Sequence, residues 1–197
     1  MNIAVIPAKG KSSRFEGKNL AKIAGKSLLW WTVFYARSNS LIHDVYVSTE
    51  DDAIKRECKS MNCQIIDRPL ELCGEQPLLD VYTHAYYNLV TSKGKEVDNI
   101  IGLQVDNVDR NLRLDDELRR MDEKGYNLMF SISSFGEPNG AAKIYSRYIL
   151  TCGRPYYVGV MIDNCTNIHY ETDMANAEVR IGRTWWYNER YDRQPLA

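Results

Sequence analysis

Short apolar runs alternate along the chain with segments in which apolar residues return every three to four positions, and these two periods separate strands from helices. Asn2 to Pro7 is a continuous apolar run that predicts a buried strand, and a Gly/Lys/Ser-rich loop from Ala8 to Lys18 follows it directly. Ser27 to Arg37 has helical spacing, His43 to Ser48 is β-rich, and Glu50 to Met61 reads as a helix with acidic residues in its first turn, where they suit the helix dipole. Cys63 to Ile66 makes a third short strand. Pro77 to Val90 predicts a helix, and Asp98 to Leu103 is another apolar strand that ends abruptly at Gln104-Val105-Asp106. Beyond it come a helix over Leu112 to Lys124, a strand over Asn127 to Ser133, strands near Lys143 to Arg147 and Tyr156 to Ile162, and a helix from about Glu171 to Arg180.

This alternation predicts an α/β fold, a three-layer sandwich whose mainly parallel, Rossmann-like sheet is covered on both faces, with ligands expected at the ends of the strands. At 197 residues the expectation is a single domain over 1–197. Its parts are a first half to about residue 105, a second half from 106 to 183, and an aromatic tail from 184 to 197. That tail would be costly to expose as one patch, so it is expected to pack on the domain or on a partner subunit.

Composition narrows the function classes. With 44% hydrophobic and 26% charged residues the chain reads as globular, and a net charge of -1 supplies no general field for nucleic acid or an anionic membrane. Any anion must therefore be held by a local cluster. The longest apolar stretches are too short to span a bilayer, and the N-terminus lacks the order of a signal peptide, so a cytoplasmic location is expected. Five cysteines without a C-x-x-C pair indicate neither a disulfide framework nor a zinc site.

The local cluster is in the first loop. Lys9, Lys11, Arg14 and Lys18 fall within ten positions just after a strand end, where backbone N–H groups of small residues can line an anion site and the cations offset phosphate charge. A solvated basic loop is the alternative. No G-x-G-x-x-G follows the first strand, and Gly25-Lys26-Ser27 lacks the earlier glycine of a Walker A loop, because Leu20 stands there. Asp106, at the end of an apolar strand, could hold a divalent cation or could close an ordinary turn with Asn107.

The run Ile6-Pro-Ala-Lys-Gly-Lys-Ser-Ser-Arg-Phe-Glu-Gly-Lys-Asn-Leu20, with Ala24-Gly-Lys-Ser-Leu-Leu29 after it, resembles the N-terminal signature of CMP-sialic acid and CMP-Kdo synthetases. Val47-Ser-Thr-Glu-Asp51 and Asp67-Arg-Pro-Leu-Glu-Leu72 match the same family in the same order. The resemblance implies a fold of the nucleotide-diphospho-sugar transferase type and transfer of CMP from CTP to an acidic sugar, with release of pyrophosphate. It implies catalytic roles for Lys9, Arg14 and Lys18. Nucleotide binding would involve Ala8, Lys9, Gly10, Ser13, Arg14, Lys18, Asn19 and Pro77, with Arg68 by the cytosine base; a surface arginine beside a turn proline is the other reading of Arg68.

Gln104 would touch the acceptor, and Leu103-Gln-Val-Asp106 resembles the Q-x-D of the Kdo type. Asp106 and His169 would hold Mg²⁺, or Mn²⁺. Asn167 and His169 stand where relatives carry metal-binding aspartates, and Asp173 reads equally as a helix N-terminal carboxylate. Tyr145, Arg147, Arg154, Tyr156 and Tyr157 could recognise an acidic acceptor or could be packing residues on a half-buried strand. A homodimer is an expected assembly, although Phe135 to Tyr157 is shorter than the family's usual dimerisation and acceptor-binding insert. Two other functions stay open: a cytidylyltransferase for a phosphate, phosphonate or polyol acceptor, and a non-catalytic nucleotide-binding protein.

Overall fold

The structure, a computed structural model, describes residues 1–11 and 15–192. Ser13 and Arg14, both expected at the nucleotide, lie outside the described residues.

The first strand, β1 (Asn2–Pro7), is buried through its middle and becomes the axis of a seven-stranded sheet. It pairs in parallel with β4 (Asp44–Thr49) on one side and with β6 (Asn99–Gly102) on the other. Next to β4 lies β5 (Gln64–Asp67), also parallel. Beyond β6 come β8 (Pro138–Ser146), β7 (Leu128–Ile132) and the edge strand β9 (Val158–Ile162), giving the order β5-β4-β1-β6-β8-β7-β9 in which only β8 is reversed. The chain thus moves outward from β1 to β5 and then crosses back to β6, and this reversal leaves a crevice at the carboxyl ends of β1 and β6. A separate ribbon, β2 (Lys22–Ile23) with β3 (Lys26–Ser27), was not legible in the sequence; its turn needs positive φ at Ala24 (48°) and Gly25 (77°).

Local sequence explains the helices. In α1 (Leu28–Arg37), Ser27 caps the first turn by accepting from the Trp30 N–H, and seven of the ten residues are buried. In α2 (Asp52–Ser60) only Ile54 and Cys58 are buried, one turn apart, and Asp51 is the cap. α3 (Leu78–Tyr87) buries Val81, Tyr82, Ala85 and Tyr86. α4 (Leu114–Lys124) carries Asp115, Asp116 and Glu117 in its first turn, buries Leu114, Leu118 and Met121, and stops at Gly125 with φ 71°. α5 (Arg147–Cys152) replaces the end of an expected strand, since β8 stops at Ser146, and α6 is Glu171–Ile181. No helix of the described residues is long and apolar enough to cross a membrane.

Side chains alternate across the sheet, so each face has its own core. One face packs Leu29, Trp31, Ile54, Ile101, Met121, Met129 and Met161 together, and the other packs Ile3, Val5, Tyr82, Ile100 and Tyr145 under α3 and α5. The aromatic tail docks on the first of these. Trp186 is fully buried, its ring lies 5.9 Å from those of Trp31 and Tyr35, and its indole N–H donates to the Arg110 carbonyl at 2.7 Å. Trp186→Ala is expected to cost about 3–5 kcal/mol in urea unfolding, the usual loss for a buried large aromatic. A loss below about 1 kcal/mol would mean that the tail is not part of the core.

Candidate active site

The loop leaving β1 is fastened to its neighbours before it can meet a ligand. The Ala8 N–H donates to the Ser48 carbonyl at 3.0 Å, and the Gly10 N–H donates to Glu50 Oε1 at 2.7 Å. A Cβ at Gly10 would stand 2.5 Å from Asp51 Oδ2, so this position excludes larger residues. Lys9 reaches across to the Gly74 carbonyl at 3.3 Å, with Glu75 at 4.0 Å, while the Asn19 amide donates to the Lys9 carbonyl at 2.8 Å and ties the far end of the loop to its start.

Lys18 turns inward. It is 9% exposed, and its ammonium donates to Asp106 Oδ2 at 2.7 Å and to the Ile168 carbonyl at 3.3 Å. One side chain therefore joins the first loop, the end of β6 and the segment before α6. At this depth an ammonium needs a counter-charge, and Asp106 supplies it.

Arg68, just after β5, is 6% exposed rather than on the surface. Its Nε donates to Ser48 Oγ at 3.2 Å and its Nη2 donates to the Ser48 carbonyl at 2.6 Å. Burial lowers its pKa, with the charge of Glu50 opposing the shift. Lys9, Lys18, Asn19, Arg68, Gln104 and Asp106 all line one cleft of about 250 Å³, together with the Gly74–Gln76 loop and the first turn of α3. Ala8, Gly10 and Pro77 do not line it: Ala8 is fully buried, Gly10 is half-buried, and Pro77 is exposed just before α3, between two lining residues, Gln76 and Leu78.

Of the expected metal ligands, Asp106 lines this cleft and His169 does not. The Ile168 N–H donates to the Asp106 carbonyl at 2.9 Å, which places His169 beside Asp106 in the fold. Asp173 is not in that set: its carboxylate accepts the N–H groups of His169 and Tyr170, both at 2.9 Å, and these bonds hold its pKa below the usual range. No cluster of three or more His, Cys, Asp and Glu suited to a metal is present among the described residues. The Asp106 carboxylate does not make an all-protein cage, but it fits a divalent cation that keeps several waters and is held jointly by one carboxylate and substrate phosphates.

The sequence did not reveal what braces this edge. Asp109 accepts the Thr166 N–H and hydroxyl, both at 2.8 Å, and pairs with Arg180 at 2.8 Å. Asp163 accepts from the Asn111 and Leu112 N–H groups, and burial pushes its pKa up to about 6. Glu50, read as part of a helix, precedes it and holds the Gly10 N–H, because Asp51 takes the cap. Arg147 pairs with Asp98 at the opposite end of the sheet, Tyr145 is buried 5.2 Å from the Tyr82 ring, and Tyr156 packs against Tyr148. These residues are packing and surface groups remote from the cleft.

The family model described as cytidylyltransferase matches residues 3–108, more than half of the chain. The chain belongs to the cytidylyltransferase family. As a member it is similar to the 3-deoxy-manno-octulosonate cytidylyltransferase of Bdellovibrio bacteriovorus, 34% identical over 64 residues that make up 32% of this chain and 26% of that protein. It is also similar to the 3-deoxy-manno-octulosonate cytidylyltransferase 1 of Hydrogenovibrio crunogenus, 30% identical over 116 residues, 59% of this chain and 39% of that protein. The chain spans well under half of the length of these relatives. The solved structure of CMP:2-keto-3-deoxy-manno-octonic acid synthetase complexed with CTP shares the fold, with a TM-score of 0.70 at 15% identity over 92% of this chain and 98% of that one. The matched span contains every residue that lines the cleft, and His169 lies outside it.

Asp163 makes one property of this family member pH-dependent. Its folded pKa of about 6 lies above the ordinary 3.8, so its contribution to stability is full below about pH 4 and is lost as the pH rises through 6. Asp163→Asn removes that loss. The melting temperature of Asp163→Asn minus that of the wild type should therefore rise by several degrees from pH 4 to pH 7, and a constant difference would show that Asp163 is ionised throughout.

Proposed function

We propose that the protein transfers CMP from CTP to an acidic sugar of the 3-deoxy-octulosonate class and releases pyrophosphate. The observation that carries this reading is the convergence of Lys9, Lys18, Arg68 and Asp106 on one cleft at the switch point of the sheet. An acceptor oxygen attacks the α-phosphorus of CTP, a new O–P bond forms, and the bond from that phosphorus to the bridging oxygen breaks as pyrophosphate leaves. Such chemistry asks for positioning and for cations that meet the charge on the phosphates. Lys9 serves the outer phosphates from the rim, Lys18 serves the α-phosphate from within, and Arg14 is the third cation of the loop. Arg68, held by Ser48, faces the base, and Asn19 fixes the loop around the nucleotide.

In this reading the stretch to about residue 105 is the nucleotide half and 106–183 is the acceptor and metal half. Gln104 stands at the junction and addresses the acceptor. Asp106 and His169 would hold the divalent cation, Mg²⁺ or Mn²⁺. When bound, the ion supplies charge neutralisation and orientation at the α-phosphate. The Lys18 to Asp106 ion pair keeps both groups in place. The proposed location is the cytoplasm.

A second observation favours self-association. On the face carrying α3 and α5, the side chains of β9 are bare: Val158, Val160 and Ile162 are 41%, 38% and 64% exposed, in register with Leu128, Phe130 and Ile132 of β7. Tyr148, on α5, and Tyr156, which packs against it, are also exposed on this face, at 43% and 72%. An uncovered apolar sheet face is the kind of patch that a two-fold dimer buries against a copy of itself.

The first test is pyrophosphate release with each of the four ribonucleoside triphosphates and a divalent cation, against acidic sugars, then phosphates, phosphonates and polyols. Release with CTP and an acidic sugar alone is expected; release only with another acceptor class moves the assignment to that class, and CTP binding without release makes the protein a nucleotide binder. Lys18→Ala is expected to lower kcat by about 10²–10³-fold, the usual loss of a preorganised charge donor. Wild-type turnover in that variant would sink the mechanism. In sedimentation the protein should run as a dimer, and Val160→Asp should give monomers; a monomeric wild type would remove the dimer from the proposal.

A further inference from the structure

Arg110 lies behind the cleft and is fully buried. The pairing of β6 with β8 stops at Gly102 opposite Lys143. Past that point the continuing ladder would set Gln104 against Ala141, but no backbone bond joins them. The Arg110 guanidinium stands there in its place. Its Nε donates to the Ala141 carbonyl at 2.6 Å and its Nη2 donates to the Gln104 carbonyl, while the cation lies 5.5 Å from the Tyr35 ring centre. Its Nη1 is buried without a hydrogen-bond partner, so the fork formed by Nε and Nη2 is what secures the group. Asp163 and Asp109 lie close enough for their charges to offset the desolvation of the cation.

This fork acts on the cleft through Gln104. Gly140, at φ 72°, packs so closely beneath the Gln104 amide that a Cβ there would stand 2.4 Å from Gln104 Nε2. Arg110 thus grips Gln104 by its carbonyl and grips the residue after Gly140 as well, which fixes the seat on which the Gln104 amide rests. A lysine can neutralise the same aspartates, but its single ammonium cannot present two parallel N–H groups to two carbonyls.

We propose that Arg110 is a positioning residue for the acceptor side of the cleft: by bridging the carbonyls of Gln104 and Ala141 it sets the Gln104 amide, leaving the nucleotide side to Lys9, Lys18, Asn19, Arg68 and Asp106. The inference rests on the CTP-dependent reading given above for what the cleft does, but its geometry can be tested without turnover.

The test compares wild type, Arg110→Lys, Gln104→Ala and the double variant. Arg110→Lys should bind CTP within about 3-fold of wild type, as expected for a site acting independently. Its kcat should fall and its acceptor KM should rise, for a loss in kcat/KM of about 10–100-fold, the usual effect of removing an outer support. In the Gln104→Ala background the Lys substitution should add less than about 3-fold, because its route runs through Gln104. Equal losses in CTP binding and turnover, or fully additive losses, would overturn the proposal.

Amide hydrogen exchange provides the arm that needs no substrate. Faster exchange in Arg110→Lys confined to residues 103–108 and 140–142 supports positioning, and a uniform increase along the chain overturns it. If wild type releases no pyrophosphate, the functional reading fails while exchange still decides the role of Arg110. Should Arg110→Lys not fold, Gly140→Ala crowds Gln104 from the other side and should give the same split between CTP binding and turnover; loss of both together would again overturn the proposal.

Discussion

An ammonium that is nine-tenths buried must find an anion, and the pairing of Lys18 with Asp106 organises the molecule around that requirement. The two residues are 88 positions apart. For them to meet, β1 and β6 must be adjacent strands, the loop after β1 must fold back over the sheet, and the segment at Ile168 must close the third side. The pair also sets the electrostatics of the cleft, because it holds a buried cation and a half-buried anion side by side. A polyanionic ligand with its own cation meets both groups already in place, without the reorganisation that exposed side chains would require.

The two walls of the cleft are stiffened differently. On the side of β4 and β5, Ser48 is the anchor: it accepts the Ala8 N–H and both Arg68 bonds, so one residue at a strand end holds the loop and the arginine together. On the side of β6, regular pairing has run out and side chains replace it. Arg110, Asp109 and Asp163 bond mainly to backbone groups of the irregular segments 104–112 and 163–166. Irregular backbone inside a protein has polar groups that secondary structure does not satisfy, and this polar cluster answers them. Charged groups buried for that purpose are expensive to desolvate, which explains why burial raises the pKa of Asp163 and lowers that of Arg110.

The sheet is unequally covered. α1, α2, α4 and the aromatic tail cover one face, whereas α3 and α5 reach only part of the other and leave β9 bare. Gly102 shows how close the covered part packs, since a Cβ there would enter the Tyr82 ring at 2.4 Å. At β9 no such helix arrives, and alternation that would normally be apolar inside and polar outside is apolar on both sides.

Much of this was legible in the chain alone, for a local reason. Strands such as Asn2–Pro7 and helices such as α2 and α4 are written in the spacing of apolar residues, because each buries one face and the period is set by backbone geometry. The basic loop, Arg68, Gln104 and Asp106 could be singled out because they sit at strand ends within a recognisable run of residues, and all the described cations of that group except Lys11 line the cleft. Where an element depends on partners far away, the pattern was silent or misleading. The strand expected through Arg147 turns into α5, and Glu50 binds the first loop instead of opening a helix. Arg110 and Asp163 carried no signal at all, since a charged residue in an irregular stretch reads as solvated. Only tertiary structure brings Gln104 opposite Ala141 without a ladder bond and so creates two carbonyls that a buried guanidinium can satisfy. The chain by itself determined which segments become strands and helices and which residues could do chemistry; the packing decided which charges are buried, because desolvation and counter-charge are properties of neighbours in space.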